Sequence, residues 1–453
     1  MRRAGLLLAG AALLSGFTIL RSYGPHDEGL MLAWASRVAH GQWPYRDFWS
    51  NYAPGQTVVL AALWKVFGPS LLVWRIIRVA TDAVVAYLAY RLVRRGAPEW
   101  LALLAWIAVA AAMAFPTGPG PNPPALALGL GALLAARDRP RLAGALAGLA
   151  FVFRPEIGAA AAIGCLSWTA AGVAAGVAAL GLAPFAIAAG GDMWHDVVGF
   201  LGKQDLQRLP FPAGLIYLTL VVGTAAVAVC SAWRRRFDPL LALVLVGLLY
   251  LLGRADVSHL VPLSVALAIV LARTAAAEHA RLPRVAFVTL LGLIALHGLQ
   301  QRADDLFSPP TLVGLPGKGA DGVETGAPDA NALRGLERAV AAQPPGPLFV
   351  ANPRHDRVTA GDPLLYILLG RRNPTRYDVM QPGVITTAKV QREIVSDLDH
   401  TNLIVRWLDW RAEHREPNGS SRSSGVHILD RYIAGHFAPA GRWGTYALLL
   451  RQQ

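Results

Sequence analysis

Charge is what this 453-residue chain has least of. Asp, Glu, Lys and Arg together make up 16% of it, against about a quarter in an ordinary soluble protein, so it cannot be a single water-solvated globule. Cysteine is scarcer still. Cys165 and Cys230 both sit inside apolar runs, which excludes a disulfide framework in the polar last third and leaves no thiols at metal-ligand spacing. Lysine is nearly absent, 4 residues against 38 arginines; with abundant alanine, this points to a GC-rich bacterial genome. No small-x-small cleavage site follows the apolar residues 4–20, so they read as a retained first span. No repeat relates the two halves, as it does in many transporters.

The charge that is present lies unevenly. Residues 1–300 carry 24 basic and 13 acidic side chains, and residues 301–453 carry 18 and 16. The net charge of +13 does not imply nucleic acid, because the excess is not gathered on one solvated face. It sits in clusters between apolar runs: Arg2 and Arg3; Arg91, Arg94 and Arg95; Arg137, Arg139 and Arg141; residues 234–236; and Arg273, Arg281 and Arg284. Short basic loops mark cytoplasmic connections. Candidate spans run over 4–20, 70–90, 99–115, 123–136, 213–232, 238–252, 257–273 and 285–300, and 141–189 holds three more around a turn at Arg154, Pro155 and Glu156. The expected fold is an α-helical polytopic membrane protein of about eleven spans with a C-terminal extracytoplasmic α/β domain. Its transmembrane domain is 1–300, its linker 301–330 and its outer domain 331–453.

With a cytoplasmic N-terminus, 14 of the basic residues fall inside. Asp27, Glu28, Asp47, Glu156, Asp192, Asp196, Asp205 and Asp256 then gather on the outer face, as the polar part of outer loops or as a site. In the outer domain, 348–351, 403–405 and 446–450 read as strands. Residues 363–369, the stripe Val390, Ile394, Leu398, and 426–433 read as helices. Asn418, Gly419 and Ser420 read as a polar turn, and Arg371, Arg372, Arg376 and Asp378 as solvated surface charge.

Residues 22–68 hold the densest signal. Adjacent carboxylates, Asp27 and Glu28, follow the first span directly. An amphipathic helix comes next, with Leu30, Met31, Trp34 and Val38 at helical spacing, Arg37 and His40 off that face, and Gly41 at its end. Then follow an aromatic turn (Trp43, Pro44, Tyr45, Phe48, Trp49, Tyr52) and an apolar segment opened by Pro54 and closed by Phe67 and Gly68. Trp and Tyr at this density suit a membrane interface, so the stretch reads as a folded first outer loop on the bilayer.

Asp-Glu after the first span, a helix ending in Gly, a Pro-Tyr-x-Asp turn at 44–47, a Pro-containing segment and Phe-Gly before an Arg-bearing span resemble the GT-C superfamily. These are polytopic glycosyltransferases dependent on lipid-phosphate sugars, among them protein O-mannosyltransferases, aminoarabinose transferases and mycobacterial-type arabinosyltransferases. The run Gly-Arg-Ala-Asp-Val-Ser-His-Leu at 253–260 resembles a recurrent element of that group. One departure stands out: Asn51-Tyr52-Ala53-Pro54 occupies the place of the Lys-Pro-Pro-Leu typical of aminoarabinose transferases, so a lysine contact to the donor phosphate is not carried over. The resemblance implies a glycosyltransferase of a bacterial plasma (inner) membrane. Its donor would be a polyprenyl-phosphate sugar and its acceptor an extracytoplasmic glycan, lipid or protein. It also makes Asp27 the candidate base.

The chemistry accounts for the pattern. Inverting displacement of a polyprenyl phosphate needs one base for the acceptor hydroxyl and positive donors for the leaving phosphate. Glu28 is the candidate to orient the acceptor or to help hold a divalent cation, the one cofactor the sequence suggests. Arg46, Arg75, Arg154, Arg254 and His259 are the basic groups at outer ends of spans, and Tyr45, Asp47, Glu156 and Asp256 complete the candidate substrate-binding set. Ionisable groups at membrane depth are usually functional, which favours Arg154 and Glu156. Against each stands a local ion pair, Arg154 with Glu156 and Arg254 with Asp256. Arg78 and Asp82, four apart in one span, are expected to neutralise each other. The alternatives are a transporter or flippase for lipid-linked glycans, or a non-catalytic envelope-assembly protein; the latter leaves the Asp-Glu pair unexplained. The topology predicts that an alkaline phosphatase fused to the C-terminus is active and a cytoplasm-only reporter silent; the reverse pattern would overturn it.

Overall fold

The structure, a computed structural model, describes residues 2–114, 120–235, 237–358 and 360–452. Arg236 and the last residue of the expected span 99–115 lie outside them. The chain divides into two compact units that do not follow chain order. One comprises Met1–Ile19, Arg75–Pro184 and Pro210–Pro310; the other comprises Leu20–Trp74, Phe185–Leu209 and Thr311–Gln453.

Long Ala/Leu/Val runs make the first unit helical. Each expected span coincides with a helix: Arg2–Gly16, Leu71–Arg94, Glu99–Met113, Asn122–Ala135, Pro140–Phe153, Pro155–Gly164, Trp168–Ala189, Leu215–Trp233, Leu241–Gly253, Val257–Ala277 and Arg281–Phe307. Among the described residues, four are long and apolar enough to cross a membrane by length and composition: Trp168–Ala189, Leu215–Trp233, Val257–Ala277 and Arg281–Phe307. The others are shorter or, like Leu71–Arg94, carry charge. Val257–Ala277 is central to the unit, with 72% of its apolar window buried. Small residues let other helices approach closely. A Cβ on Gly148 would lie 2.6 Å from the Ala174 carbonyl oxygen, and Gly144, one turn earlier, faces Ala170 in the same way, a small-xxx-small crossing. Arg78 and Asp82 pair at 3.1 Å as expected, and the Ser15 hydroxyl donates to Asp82 at 2.7 Å.

The second unit holds the strands. Leu312–Gly314 (β1) and Glu324–Gly326 (β2) form an antiparallel ribbon inside the stretch read as linker. Phe349–Ala351 (β3), Leu403–Trp407 (β4), Phe437–Trp443 (β5) and Tyr446–Arg451 (β6) form a sheet of order β3-β4-β6-β5. The β3–β4 pair is parallel, and the other two pairs are antiparallel. The helix Ala327–Ala341 packs on β5 and β6. The helices read from the sequence are present at Leu364–Leu368, Ala388–Asp397 and Ile428–His436. Asn418 does make a local turn, its side chain accepting from the Ser420 amide at 3.0 Å.

The same unit contains the first-loop helices Asp27–Ala39 and Gly55–Phe67, packed on one another. Leu30, Met31 and Trp34 are buried, as the spacing required. The helix Asp27–Ala39 also packs against Leu364–Leu368, and a Cβ on Gly29 would lie 2.5 Å from the Leu364 amide nitrogen. Reading Arg371, Arg376 and Asp378 as solvated charge is corrected here. Arg37 Nε lies 2.7 Å from buried Asp378, and Arg376 donates to the Tyr45 carbonyl at 2.6 Å. Arg371 donates to the carbonyls of Val340 and Gln343 at the C-terminal end of Ala327–Ala341, where a helix leaves acceptors unsatisfied.

Asp362 is buried beside two tyrosines: Tyr446 donates to it at 2.9 Å, and the Tyr446 and Tyr23 hydroxyls are 3.2 Å apart. Burial pushes its carboxyl up to about 7, although the Tyr446 hydrogen bond and the Arg411 charge pull the other way. A raised carboxyl binds its proton in the folded chain before the unfolded one, so stability falls as pH rises from about 4 to about 7. The effect is on the order of a few kcal/mol. Asp362→Asn is expected to flatten this slope in melting curves of the detergent-solubilised protein between pH 4 and 8; an unchanged slope would refute the assignment.

Candidate functional site

The candidate residues fall into two groups, one in each unit. The first is built on the turn that leads into the helix Asp27–Ala39. The Gly24 amide donates to the Glu28 carboxylate at 3.1 Å, the Gly29 amide to the Gly24 carbonyl at 3.0 Å and the Leu364 amide to the Pro25 carbonyl at 3.3 Å. Two carboxylates in the first turn suit the positive end of the helix dipole. They are placed differently. Glu28 is buried and committed to the turn, whereas the Asp27 side chain is 53% exposed, 4.0 Å from His26 Nε2.

Tyr45, Arg46 and Asp47 are engaged in their own turn. Tyr45 is buried with φ 70°, and its hydroxyl donates to the Tyr52 carbonyl at 2.7 Å. Arg46 grips Asp47 through two bonds of 2.8 Å, and Asp47 also accepts from the Trp43 amide at 2.7 Å. The Arg46 bond first, with the Trp43 amide, holds the Asp47 carboxyl low against its partial burial. Arg75, in the other unit, is buried and donates to the Ile19 carbonyl at 2.8 Å.

The second group gathers residues a hundred positions apart. Arg154 and Arg254 each stand at the C-terminal cap of one helix in extended backbone, at φ −143° and −153°. Each is followed two residues later by an acid at the start of the next helix, Glu156 in its first turn and Asp256 at its N-cap. Each arginine meets its acid across that short turn: Arg154–Glu156 at 2.5 Å and Arg254–Asp256 at 2.8 Å. Tyr250 joins the two pairs. The Arg154 guanidinium lies 4.7 Å from its ring centroid, within cation–π range. His259 stacks on the same ring at 4.3 Å and reaches Asp256 at 2.6 Å. Asp256 also caps the helix Val257–Ala277, accepting from the Ser258 and His259 amides. Its carboxyl is burdened by burial but held low by His259 and Arg254. Asn122 lies beside the Tyr250 side chain.

Five expected residues, Arg154, Glu156, Arg254, Asp256 and His259, are thus assembled. Tyr250 and Asn122 were missed. A tyrosine one turn before Arg254 in an otherwise aliphatic run was the available signal. Beside this group lies an apolar groove of about 740 Å³ lined by residues 211–215, Leu218, Val221 and Leu252. Tyr217, on the same helix, contacts the Ala255 carbonyl at 3.5 Å and stacks edge-on against Phe211.

Among the described residues, Asp356, His427 and Asp430 form the one trio within reach of a common ion. It is already neutralised: Arg354 binds Asp356, His355 binds Asp430 at 2.7 Å and the charge of Arg406 acts on Asp430. Asp27 and Glu28 belong to no such trio, and Glu28 serves the turn.

No family model and no curated protein matches the chain. Solved structures do. ArnT from Cupriavidus metallidurans bound to undecaprenyl phosphate superposes with a TM-score of 0.58 at 14% identity, over 99% of this chain and 98% of that one. Its apo form gives 0.57, over 99% and 97%. The archaeal oligosaccharyltransferase AglB from Archaeoglobus fulgidus, in complex with an inhibitory peptide and a dolichol-phosphate, gives 0.51 at 14% identity, over 100% of this chain and 74% of that one. Shared extent at so low an identity is a likeness of fold: the chain folds like ArnT and, over part of that longer chain, like AglB.

Proposed function

We propose that this protein is a membrane glycosyltransferase of the bacterial plasma membrane, moving a sugar from a polyprenyl-phosphate donor to an extracytoplasmic glycan, lipid or protein acceptor. The observation that carries the reading is Asp27: an accessible carboxylate at the head of a buried helix, in a fold shared with proteins solved with polyprenyl or dolichol phosphates. Asp27 takes the proton of the acceptor hydroxyl. The hydroxyl oxygen forms the new bond to the anomeric carbon with inversion, and the bond to the phosphate oxygen breaks with its electron pair on the phosphate. Glu28 keeps the turn that aims Asp27. Arg154, Arg254 and His259 hold the phosphate, oriented by Glu156, Tyr250 and Asp256. The apolar groove at 211–215 takes the start of the isoprenoid tail, since an anionic head on an apolar chain needs charge and grease side by side.

Asp27→Asn keeps shape and hydrogen bonding but removes basicity. Loss of a general base costs about 10²–10⁴ in rate, or roughly 3–5 kcal/mol of barrier. Turnover of a lipid-linked sugar by this variant is expected to fall by that amount with donor KM nearly unchanged; near-normal turnover would remove the central residue of the reading.

Arg154→Ala and Arg254→Ala are expected to raise donor KM or lower kcat about ten-fold or more with the melting temperature retained. Normal kinetics in both would leave the two arginines as local ion pairs only.

A further inference from the structure

We propose that His26 is a positioning residue for the Asp27 carboxylate, holding one oxygen through Nε2–H so that the other faces the acceptor; the proposal rests on Asp27 being the base. His26 immediately precedes the helix Asp27–Ala39, at the N-cap position, yet its side chain does not cap the helix. The ring turns instead toward residues 360–364, where the Gly361 amide lies 3.2 Å from Nδ1. A backbone N–H can only donate, so Nδ1 must accept. The ring is therefore the neutral tautomer with its proton on Nε2. Protonation of Nδ1 would set one N–H against another.

That leaves Nε2–H on the side of Asp27, with Nε2 4.0 Å from Oδ1. The His26 side chain is 18% exposed and the Asp27 side chain 53%, so the donor is fixed and the carboxylate is the group free to swing. Two close approaches hold the ring's partner in place. A Cβ on Gly361 would lie 2.8 Å from Met380 Cγ, and one on Gly29 would lie 2.5 Å from the Leu364 nitrogen. Together with the bond from the Leu364 amide to the Pro25 carbonyl, they clamp residues 25–29 on both sides of the ring. At 4.0 Å the contact exceeds a hydrogen bond. Catalytic contacts in unliganded enzymes are commonly long and close on substrate binding, and the exposed Asp27 carboxylate is the group that would move to close this one. The arrangement gives the base an orienting partner of its own, the logic of a base held by a third group.

Amide side chains separate this role from simple docking. In His26→Asn the amide oxygen takes the place of Nδ1 and keeps the Gly361 bond, but nothing replaces Nε2–H. In His26→Gln the amide nitrogen takes the place of Nε2 and keeps the donor, but the Gly361 acceptor is lost. The full-length protein is assayed in detergent with whichever undecaprenyl-phosphate hexose or pentose the wild type consumes, alongside Asp27→Asn and melting curves. The expected result is a kcat for His26→Asn lower by about ten- to a hundred-fold, with donor KM and melting temperature unchanged. His26→Gln is expected to recover most of kcat while melting earlier. If His26→Asn turns over at the wild-type rate, whatever His26→Gln does, His26 merely docks the loop and the proposal is overturned. If Asp27→Asn itself turns over normally, the reading of Asp27 as base fails first, and the two failures are told apart.

Discussion

The second unit depends on a close approach of two backbones. Gly29, in the first turn of the helix Asp27–Ala39, leaves room for the Leu364 amide where any side chain would intrude. Through that opening run the bond from Leu364 to Pro25 and the bond from Gly361 to His26. A loop that follows the first helix thereby becomes part of the same packed body as a sheet assembled from the end of the chain. The buried row of Tyr23, Tyr446 and Asp362 lies along the same join. Overpacking such a contact by one methyl typically costs about 1–3 kcal/mol, and here it would also move the carboxylate that the proposed chemistry needs.

Several charges are handled by short-range pairing. Arg154 with Glu156, Arg254 with Asp256, Arg354 with Asp356 and Asp409 with Arg411 are all two residues apart. A chain with few charges and little water around much of it gains from making each pair within one stretch of backbone, since no long-range packing is needed to neutralise it. Such pairs also explain why acids concentrate where basic residues leave helices. Ion pairing by itself is therefore no sign of a site; the convergence of two such pairs on Tyr250 and His259 is what distinguishes the second group.

The helices were legible because apolar runs of the right length have few alternatives, and the arginine-proline break at Arg154 marked a turn correctly. Strands β3, β4 and β6 showed themselves by composition. Strand β5 did not, because Pro439 and Gly441 dilute its pattern and register shifts between them. The ribbon of β1 and β2 was hidden in a Gly-rich stretch. Asp27 was visible as one of two adjacent acids, but which of them stays accessible depends on Glu28 reaching back to Gly24. Arg371, Arg376 and Asp378 looked like surface charge because their partners, the end of Ala327–Ala341, the Tyr45 carbonyl and Arg37, lie elsewhere in the sequence. The contact of His26 with Gly361 has no local signature at all.

That last contact joins residues 335 positions apart. A ribosome adding about 5–20 residues per second delivers them roughly 20–70 s apart. During that interval the face of the helix around Gly29 has been made and its covering turn has not. The segment around Gly29 must wait while every later helix of the chain is synthesised. The head of the helix that bears Asp27 therefore acquires its final shape only in the last stage of biogenesis, and a chain interrupted before residue 360 would display that helix with its partner missing.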